Sequence, residues 1–320
     1  MQRPGRSFAC VAALMLATLL PTPSSVIGQT TKATTPWTPP RTPDGRPDFQ
    51  GIWDFRTATP LERPSAFAGK EFFSSEEAAE FERQSAERNS ENLTVHPAFW
   101  LDYGTNVLAS RRTALIVDPA DGRVPPLTPA ARQKAAARAD VRRNAEGPEA
   151  FNLAERCMLF GAGPPIVPGA YNNNIQIVQT RDTVVVFNEM IHDARIIPMD
   201  GRPHLPGHIR PLLGDSLGRW DGDTLVIETT NFTDRTRFRG SDENLRLTER
   251  FTRTDHATLM YEFTVDNPTA FASRWTAAYP MAKSDAHIYE YACHEGNYGL
   301  RNMLTSARFA EKAAEDAKKK

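Results

Sequence analysis

Cysteine is scarce in this chain of 320 residues, which contains three. No Cys-x-x-Cys pair occurs, which excludes the zinc sites and redox motifs built on that spacing. The chain also has no large excess of positive or negative charge, because 38 basic residues are balanced by 39 acidic ones. Without a basic stripe, the sequence does not predict nucleic acid as a partner.

Long apolar runs are absent after the first residues of the chain. The run from Phe8 to Leu20 follows Arg3 and Arg6, and it is too short for a transmembrane helix. This pattern is typical of a secretory signal peptide over residues 1–28, with the mature chain beginning near Gln29 or Thr30. Because no comparable run follows, we expect no membrane insertion of the mature chain. The predicted location is periplasmic or extracellular.

Motifs for nucleotides, nucleophiles and metals are missing as well. No Gly-x-Ser-x-Gly elbow and no dinucleotide fingerprint occurs. Gly161-Ala162-Gly163 is followed by proline rather than by a helix, which argues against a phosphate cradle. His204 and His208 flank a Pro-Gly pair, so the helical spacing of zinc motifs does not apply to them. We expect neither a metal nor an organic cofactor.

The cysteines predict one disulfide. Cys10 lies within the predicted signal peptide, so that Cys157 and Cys293 remain after cleavage. In an oxidising compartment, such a pair is most simply a disulfide. Closing so long a loop stabilises a fold by about 3–5 kcal/mol.

The pattern along the chain predicts one β-rich domain over residues 50–304. Residues 29–49 are rich in Pro and Thr and are interpreted as an extended arm. Helix-start signals at Ser74 and at Thr128 predict a helical insertion over about 74–143. Residues 305–320, rich in Ala, Lys and Glu, are interpreted as a C-terminal helix or tail.

Short runs rich in Val, Ile, Thr, Tyr and Phe predict an antiparallel sheet from Tyr171 onward, because turn residues separate them at regular spacing. Together with the run around Trp53, these runs are enough to close a barrel. The apolar run Ala114–Val117 predicts a further strand. The predicted strands are Ile175–Thr180, Thr183–Met190, Ala194–Met199, Thr224–Phe232, Leu245–Thr252, Leu259–Val265, Ser273–Tyr279 and Ile288–Cys293.

Gly51-x-Trp53, at the start of the first strand and followed by a meander, resembles the lipocalin and calycin barrels. In those barrels the Trp plugs one end. The resemblance implies a mainly β fold, an antiparallel calycin-like barrel or barrel-like sheet, here with two or three peripheral helices. The helical insertion is a feature that a typical lipocalin lacks.

A second resemblance covers most of the chain after the signal peptide. It is to an uncharacterised family of exported bacterial proteins, and it implies bacterial export without assigning catalytic residues. The segments that carry it are Arg112–Pro119, Asp121–Thr128, His192–Pro198 and Tyr291–Asn297.

The densest polar cluster follows a predicted strand and contains Glu189, His192, Asp193 and Arg195. Gathered at a barrel mouth, an imidazole, a carboxylate and a guanidinium suit acid–base chemistry on a small anion or carbonyl. His192 and Asp193 are therefore candidate catalytic residues, and Glu189 and Arg195 candidate substrate-binding residues. The alternative is a salt-bridged hairpin corner.

A second cluster follows Cys293 and contains His294, Glu295, Asn297 and Tyr298. A disulfide would fix this loop, and a fixed loop with such side chains suits the wall of a site. We assign His294 and Glu295 as candidate catalytic residues, and Asn297 and Tyr298 as candidate substrate-binding residues. The alternative is a capping loop whose polar groups satisfy backbone ends.

Tyr171 and Asn173, in a loop rich in amides, complete the candidate substrate-binding residues. Both polar clusters lie at strand ends, and we expect them at the same mouth of the sheet. The predicted function is a cofactor-independent acid–base enzyme, such as a lyase, isomerase or hydrolase. Its predicted substrate is a small and partly apolar molecule, and aromatic compounds are among the candidates. The alternative is a non-catalytic ligand-binding protein of lipocalin type, in which a cavity needs only apolar walls and a few hydrogen bonds.

Overall fold

The computed structural model describes residues 37–91, 104–159, 163–235 and 238–319. The predicted signal peptide and residues 29–36 of the predicted arm lie outside these ranges. The helices are α1 (Ser75–Glu91), α2 (Pro129–Asn144) and α3 (Tyr298–Lys318). The strands are β1 (Gly51–Asp54), β2 (Ile116–Asp118), β3 (Asn174–Gln179), β4 (Thr183–Asn188), β5 (Ala194–Pro198), β6 (Asp215–Asp221), β7 (Thr224–Thr230), β8 (Arg246–Arg253), β9 (Thr258–Asp266) and β10 (Trp275–Ser284).

The strands form one antiparallel sheet in the order β5-β4-β3-β1-β10-β9-β8-β7-β6, with β2 paired beside β1 on β10. The prediction of a mainly antiparallel β fold with peripheral helices is therefore confirmed. The hydrogen-bonded path ends at β5 on one side and at β6 on the other. The sheet is thus not closed into a barrel, and a calycin-like barrel is not established.

The sheet is strongly curved, and its two edge strands lie side by side. A Cβ atom at Gly218 of β6 would lie 2.3 Å from the sulfur of Met199 and 3.0 Å from a methyl carbon of Ile197 at the far edge. Only glycine permits so close an approach of a backbone to neighbouring side chains. The two edges therefore pack against each other through side chains.

The concave face of the sheet forms the core. Alternate residues of β8, β9 and β10 are buried, which is the period-two pattern of strands with one face turned inward. Trp53 of the Gly-x-Trp motif is fully buried, and the guanidinium of Arg253 lies 5.5 Å from its ring centre. The largest fully buried side chains include Trp53, Trp275, Tyr261, Tyr279, Phe251 and Phe263.

Ile166 fills part of this interior, although it belongs to a loop. Its backbone N–H donates to the hydroxyl of Tyr261 at 3.1 Å, and its carbonyl accepts from the hydroxyl of Tyr279 at 2.7 Å. Both tyrosines and Ile166 are almost completely buried. A buried peptide group needs such partners, because leaving it unpaired costs free energy. The two hydroxyls therefore fix the loop before β3 against the sheet.

The helix starts follow the predicted signals. Ser74 and Glu77 form a capping box, in which each side chain accepts from the backbone N–H of the other, at 3.2 and 2.8 Å. Thr128 caps α2 by accepting from the N–H of Ala131 at 3.2 Å. The C-terminal helix α3 begins at Tyr298, earlier than the sequence predicted.

The structure corrects two strand predictions. The segment Ile288–Cys293 is not a strand, because β10 ends at Ser284 and the chain then leaves the sheet with its side chains mostly exposed. Strand β6 was not predicted, because its sequence is mostly polar and most of its residues are only half-buried, so it lacks the apolar alternation of the other strands.

The predicted disulfide is confirmed. Cys157 and Cys293 are bonded, with an S–S distance of 1.99 Å and 5.6 Å between their Cα atoms. The bond joins the loop after α2 to the segment before α3, across a sequence separation of 136 residues. Among the helices in the described ranges, none is long and apolar enough to cross a membrane.

We expect Glu249→Gln to lower the free energy of unfolding by about 3–5 kcal/mol, because it leaves the buried guanidinium of Arg195 without its counter-charge. Chemical denaturation measures this loss. The matched control is Glu228→Gln on β7, whose half-exposed carboxylate faces Arg219 at 3.6 Å and should cost less than about 1 kcal/mol. Equal losses of stability in the two variants would contradict the conclusion that the buried pair of Arg195 and Glu249 stabilises the fold.

Candidate functional site

Arg195, a candidate substrate-binding residue, lies inside the curved sheet. It donates to both carboxylate oxygens of Glu249, at 2.5 and 2.9 Å, although β5 and β8 are far apart in the strand order. Tyr261 also donates to this carboxylate, at 2.7 Å. Burial and the neighbouring Glu249 raise the pKa of Tyr261 well above its usual range. The charge of Arg195 is therefore already neutralised within the protein.

The corner between β4 and β5 carries the other members of the first cluster. Glu189 is buried and accepts from the side chain of Asn174 at 2.8 Å. A short 3₁₀ turn follows, in which Ile191 and His192 have φ angles of 63° and 62°. A left-handed conformation is strained for a β-branched residue such as isoleucine, and such strain is concentrated at functional sites.

His192 and Asp193 lie at the surface of this corner. The imidazole of His192 is exposed and packs edge-on against Phe187, with 4.7 Å between ring centres. Asp193 is partly buried, and this burial raises the pKa of its carboxyl group, while the charge of His192 opposes the shift. The two candidate catalytic residues of this cluster are therefore neighbours, with a carboxyl group that holds its proton more strongly than usual.

The second cluster lies in the irregular segment between β10 and α3. His294 and Glu295 are exposed. Asn297 caps α3, since its side-chain oxygen accepts from the N–H of Leu300 at 3.2 Å and its amide donates to the carbonyl of Glu155 at 3.0 Å. Tyr298, the first residue of α3, is exposed. Asn297 thus holds the helix end near the disulfide.

The segment that leads from β10 to the second cluster contacts Glu189 of the first cluster and the loop before β3. The backbone N–H of Tyr289 contacts the carboxylate of Glu189 at 3.4 Å. The rings of Tyr171 and Tyr291 are stacked, with 6.3 Å between their centres. Burial and a hydrogen bond with Tyr171 raise the pKa of Tyr291 above its usual range. The segment after β10 therefore passes close to the corner at Glu189 and to the loop before β3.

Asn173 is almost fully buried and holds its own loop. Its side chain accepts from the N–H of Gly169 at 2.7 Å and donates to the carbonyl of the same glycine at 3.1 Å. Beside it lies a cavity of about 240 Å³, which Tyr171, Asn173 and Met190 help to line. Two predicted substrate-binding residues thus border one small cavity.

His204 and His208 have different surroundings in the structure. The Nδ1 atom of His204 lies 2.7 Å from the carboxylate of Asp215, and His208 is exposed. No group of three His, Cys, Asp or Glu side chains suited to hold a metal occurs in the part of the chain that the structure describes.

A larger cleft, of about 630 Å³, lies outside the sheet next to α2. Its volume is within the range of small-molecule binding sites. The walls come from α2, the loop that follows it, the proline pair Pro164-Pro165 and the loop after β7. Apolar side chains that line it are Phe151, Leu153, Leu159, Pro164, Pro165 and Phe238.

Four arginines line the cleft, whereas only two carboxylates do, those of Glu149 and Asp234. Arg142 is bound to Glu155 at 2.5 and 2.6 Å, and Arg156 lies 3.9 Å from Glu149. The other two are Arg138 and Arg235. Within the described ranges, neither of these two guanidinium groups takes part in a hydrogen bond or an ion pair. The cleft therefore combines apolar walls with two positive charges that have no partner there.

The sequence contained one local sign of this cleft. Ala135, Arg138, Ala139 and Arg142 follow one another at helical spacing, which places them on one face of α2. The small alanine side chains on this face leave space beside the helix, and the arginine side chains place positive charges at the edge of that space. The opposite walls come from distant parts of the chain, so no local pattern indicates them.

Comparison with known proteins gives no relative. No family model, no curated protein and no solved structure matches this chain.

Proposed function

We propose that the protein binds a small, partly apolar anion in the larger cleft, as a ligand-binding protein rather than an enzyme. The observation that carries this proposal is the pair of guanidinium groups of Arg138 and Arg235, which have no partner within the described ranges and border an apolar wall. Guanidinium groups bind carboxylates in a planar, two-pronged arrangement and are weakly hydrated, which suits a partly desolvated site.

The lining favours an anion over a neutral or cationic ligand. Arginines outnumber carboxylates among the lining residues, and Arg142 has its own partner in Glu155. An apolar body on the ligand would be buried against Phe151, Leu153 and Phe238, and each buried CH₂ group contributes about 0.8 kcal/mol. A monocarboxylate with an aromatic or aliphatic group fits both features.

Binding is favoured over catalysis in this cleft because its described lining has no histidine and no cysteine. The titratable groups there are arginines, which stay charged, and the carboxylates of Glu149 and Asp234, which are exposed. General acid–base catalysis needs a group that exchanges a proton near neutral pH.

A second candidate function is acid–base chemistry at the corner of His192 and Asp193. It is supported by the left-handed backbone of Ile191 and His192 and by the raised pKa of Asp193. In this candidate the exposed imidazole of His192 takes a proton from a small substrate, and Asp193 donates one. The reaction would be that of a lyase, isomerase or hydrolase.

Export to the periplasm or the extracellular space is also part of the proposal. Its support is the disulfide between Cys157 and Cys293, since such bonds persist in oxidising compartments.

Phenylacetate is the probe for the proposed binding function. We expect it to bind, and we expect phenylacetamide, its neutral analogue, to bind at least tenfold more weakly, because a hydrogen bond to a charged group contributes about 1.5–3 kcal/mol. Arg138→Gln should weaken phenylacetate binding by about tenfold in isothermal calorimetry for the same reason.

The matched control for this experiment is Arg274→Gln, which removes one exposed arginine that does not line the cleft. It should leave phenylacetate binding unchanged. If the amide binds as well as the acid, or if both substitutions have the same effect, the proposed function is wrong.

The second candidate is tested by hydrolysis of p-nitrophenyl acetate. His192→Gln and Asp193→Asn should each reduce turnover by about a hundredfold or more if they act as base and acid. The controls His287→Gln and Asp182→Asn change exposed residues elsewhere and should retain full turnover. Turnover that is absent, or equal in all four variants, contradicts acid–base chemistry at this corner.

Fractionation of the source cells tests export. We expect the protein outside the cytoplasm and without free thiols after denaturation. Cytoplasmic protein with two titratable thiols would contradict this inference.

A further inference from the structure

The larger cleft and the smaller cavity beside Asn173 share two parts of the chain. Gly163, Pro164 and Pro165 line the cleft, whereas Val167, Pro168 and Gly169, directly after them, line the cavity. Phe238 lines both. The residues 163–169 therefore form a continuous floor that runs from one space into the other.

Ile166, between the two halves of this floor, faces the opposite direction. Its side chain is fully buried, and its peptide groups are bonded to the hydroxyls of Tyr261 and Tyr279. Because Ile166 is fixed inward, the residues on either side of it are left to face the two spaces. Three prolines in this floor restrict its backbone further.

Phe238 marks the boundary between the two spaces, and it is held by aromatic neighbours. Its ring is stacked on that of Trp275, with 5.7 Å between centres and 25° between planes, and it meets the ring of Phe263 edge-on. A ring held in this way provides a fixed apolar surface along which a ligand could pass from the cleft to the cavity.

We infer that the two spaces form one groove for an elongated carboxylate, with its head at Arg138 and Arg235 and its apolar tail in the smaller cavity. This inference rests on the proposed function and specifies the ligand as a carboxylate with an aliphatic chain of several carbons. The cavity has room for such a tail, since about 150 Å³ is enough for a benzene molecule and the cavity measures about 240 Å³.

The lining of the smaller cavity suits a tail better than a second head group. Phe55, Val167, Pro168 and Met190 supply apolar surface. The amide of Asn173 is already bonded to Gly169, and Arg239 is exposed. The aliphatic part of an arginine side chain covers apolar surface while its charge remains in water. A tail in the cavity therefore leaves no buried charge unpaired.

The test uses the full chain and three carboxylates: acetate, hexanoate and decanoate. We expect affinity to rise by about fourfold for each methylene group that enters the smaller cavity, so that decanoate binds far more tightly than hexanoate. The corresponding amides should bind more weakly at every length. A chain-length series on the unaltered protein gives a result that does not depend on the folding of any variant.

Val167→Phe fills part of the smaller cavity and should remove the gain in affinity from hexanoate to decanoate. The matched control is Val178→Phe, which makes the same change at an exposed position on β3 and should retain that gain. Thermal unfolding confirms that both variants are folded.

The outcomes separate the two proposals. If no carboxylate binds, or if Arg138→Gln has no effect on any of them, the proposed function fails. If carboxylates bind and depend on Arg138, but decanoate binds no better than hexanoate or Val167→Phe retains the gain, the binding function stands and the elongated groove is wrong.

Discussion

The buried pairing of Arg195 with Glu249 is the interaction on which this fold depends. It links β5 near one edge of the strand order to β8 near the other, and it can form only when the sheet is strongly curved. The hydroxyl of Tyr261 completes the coordination of the carboxylate. Removing one partner would leave an uncompensated charge in the core, so curvature and charge pairing support each other.

This network also bears on where the proposed ligand would bind. Its side chains fill the concave face together with Tyr279 and the buried Ile166, so the interior that holds ligands in lipocalin-type proteins is occupied by the protein itself. The same tyrosines fix the loop around Ile166, whose other residues line the cleft and the cavity outside the sheet. The filled interior and the placing of the cleft and the cavity outside the sheet are thus two consequences of one set of contacts.

Features that depend on neighbouring residues were predictable from the sequence. The starts of α1 and α2 follow from the caps at Ser74 and Thr128, and the disulfide follows from the cysteine count. Apart from this disulfide, which the number of cysteines indicates, features that depend on distant residues were not predictable. Nothing near Arg195 in the sequence indicates that Glu249, 54 positions away, is its partner. The sequence around Arg195 was therefore equally compatible with an exposed arginine that binds an anion. The larger cleft escaped prediction for the same reason, because α2, the loop before β3 and the loop after β7 meet only in the folded chain.

The most direct test of this account is a crystal structure of the protein with bound decanoate. The account predicts electron density for the carboxylate within hydrogen-bond distance of Arg138 or Arg235, and density for the chain along Phe238 to Val167. Density for the ligand on the concave face of the sheet, with the pair of Arg195 and Glu249 opened, would contradict it.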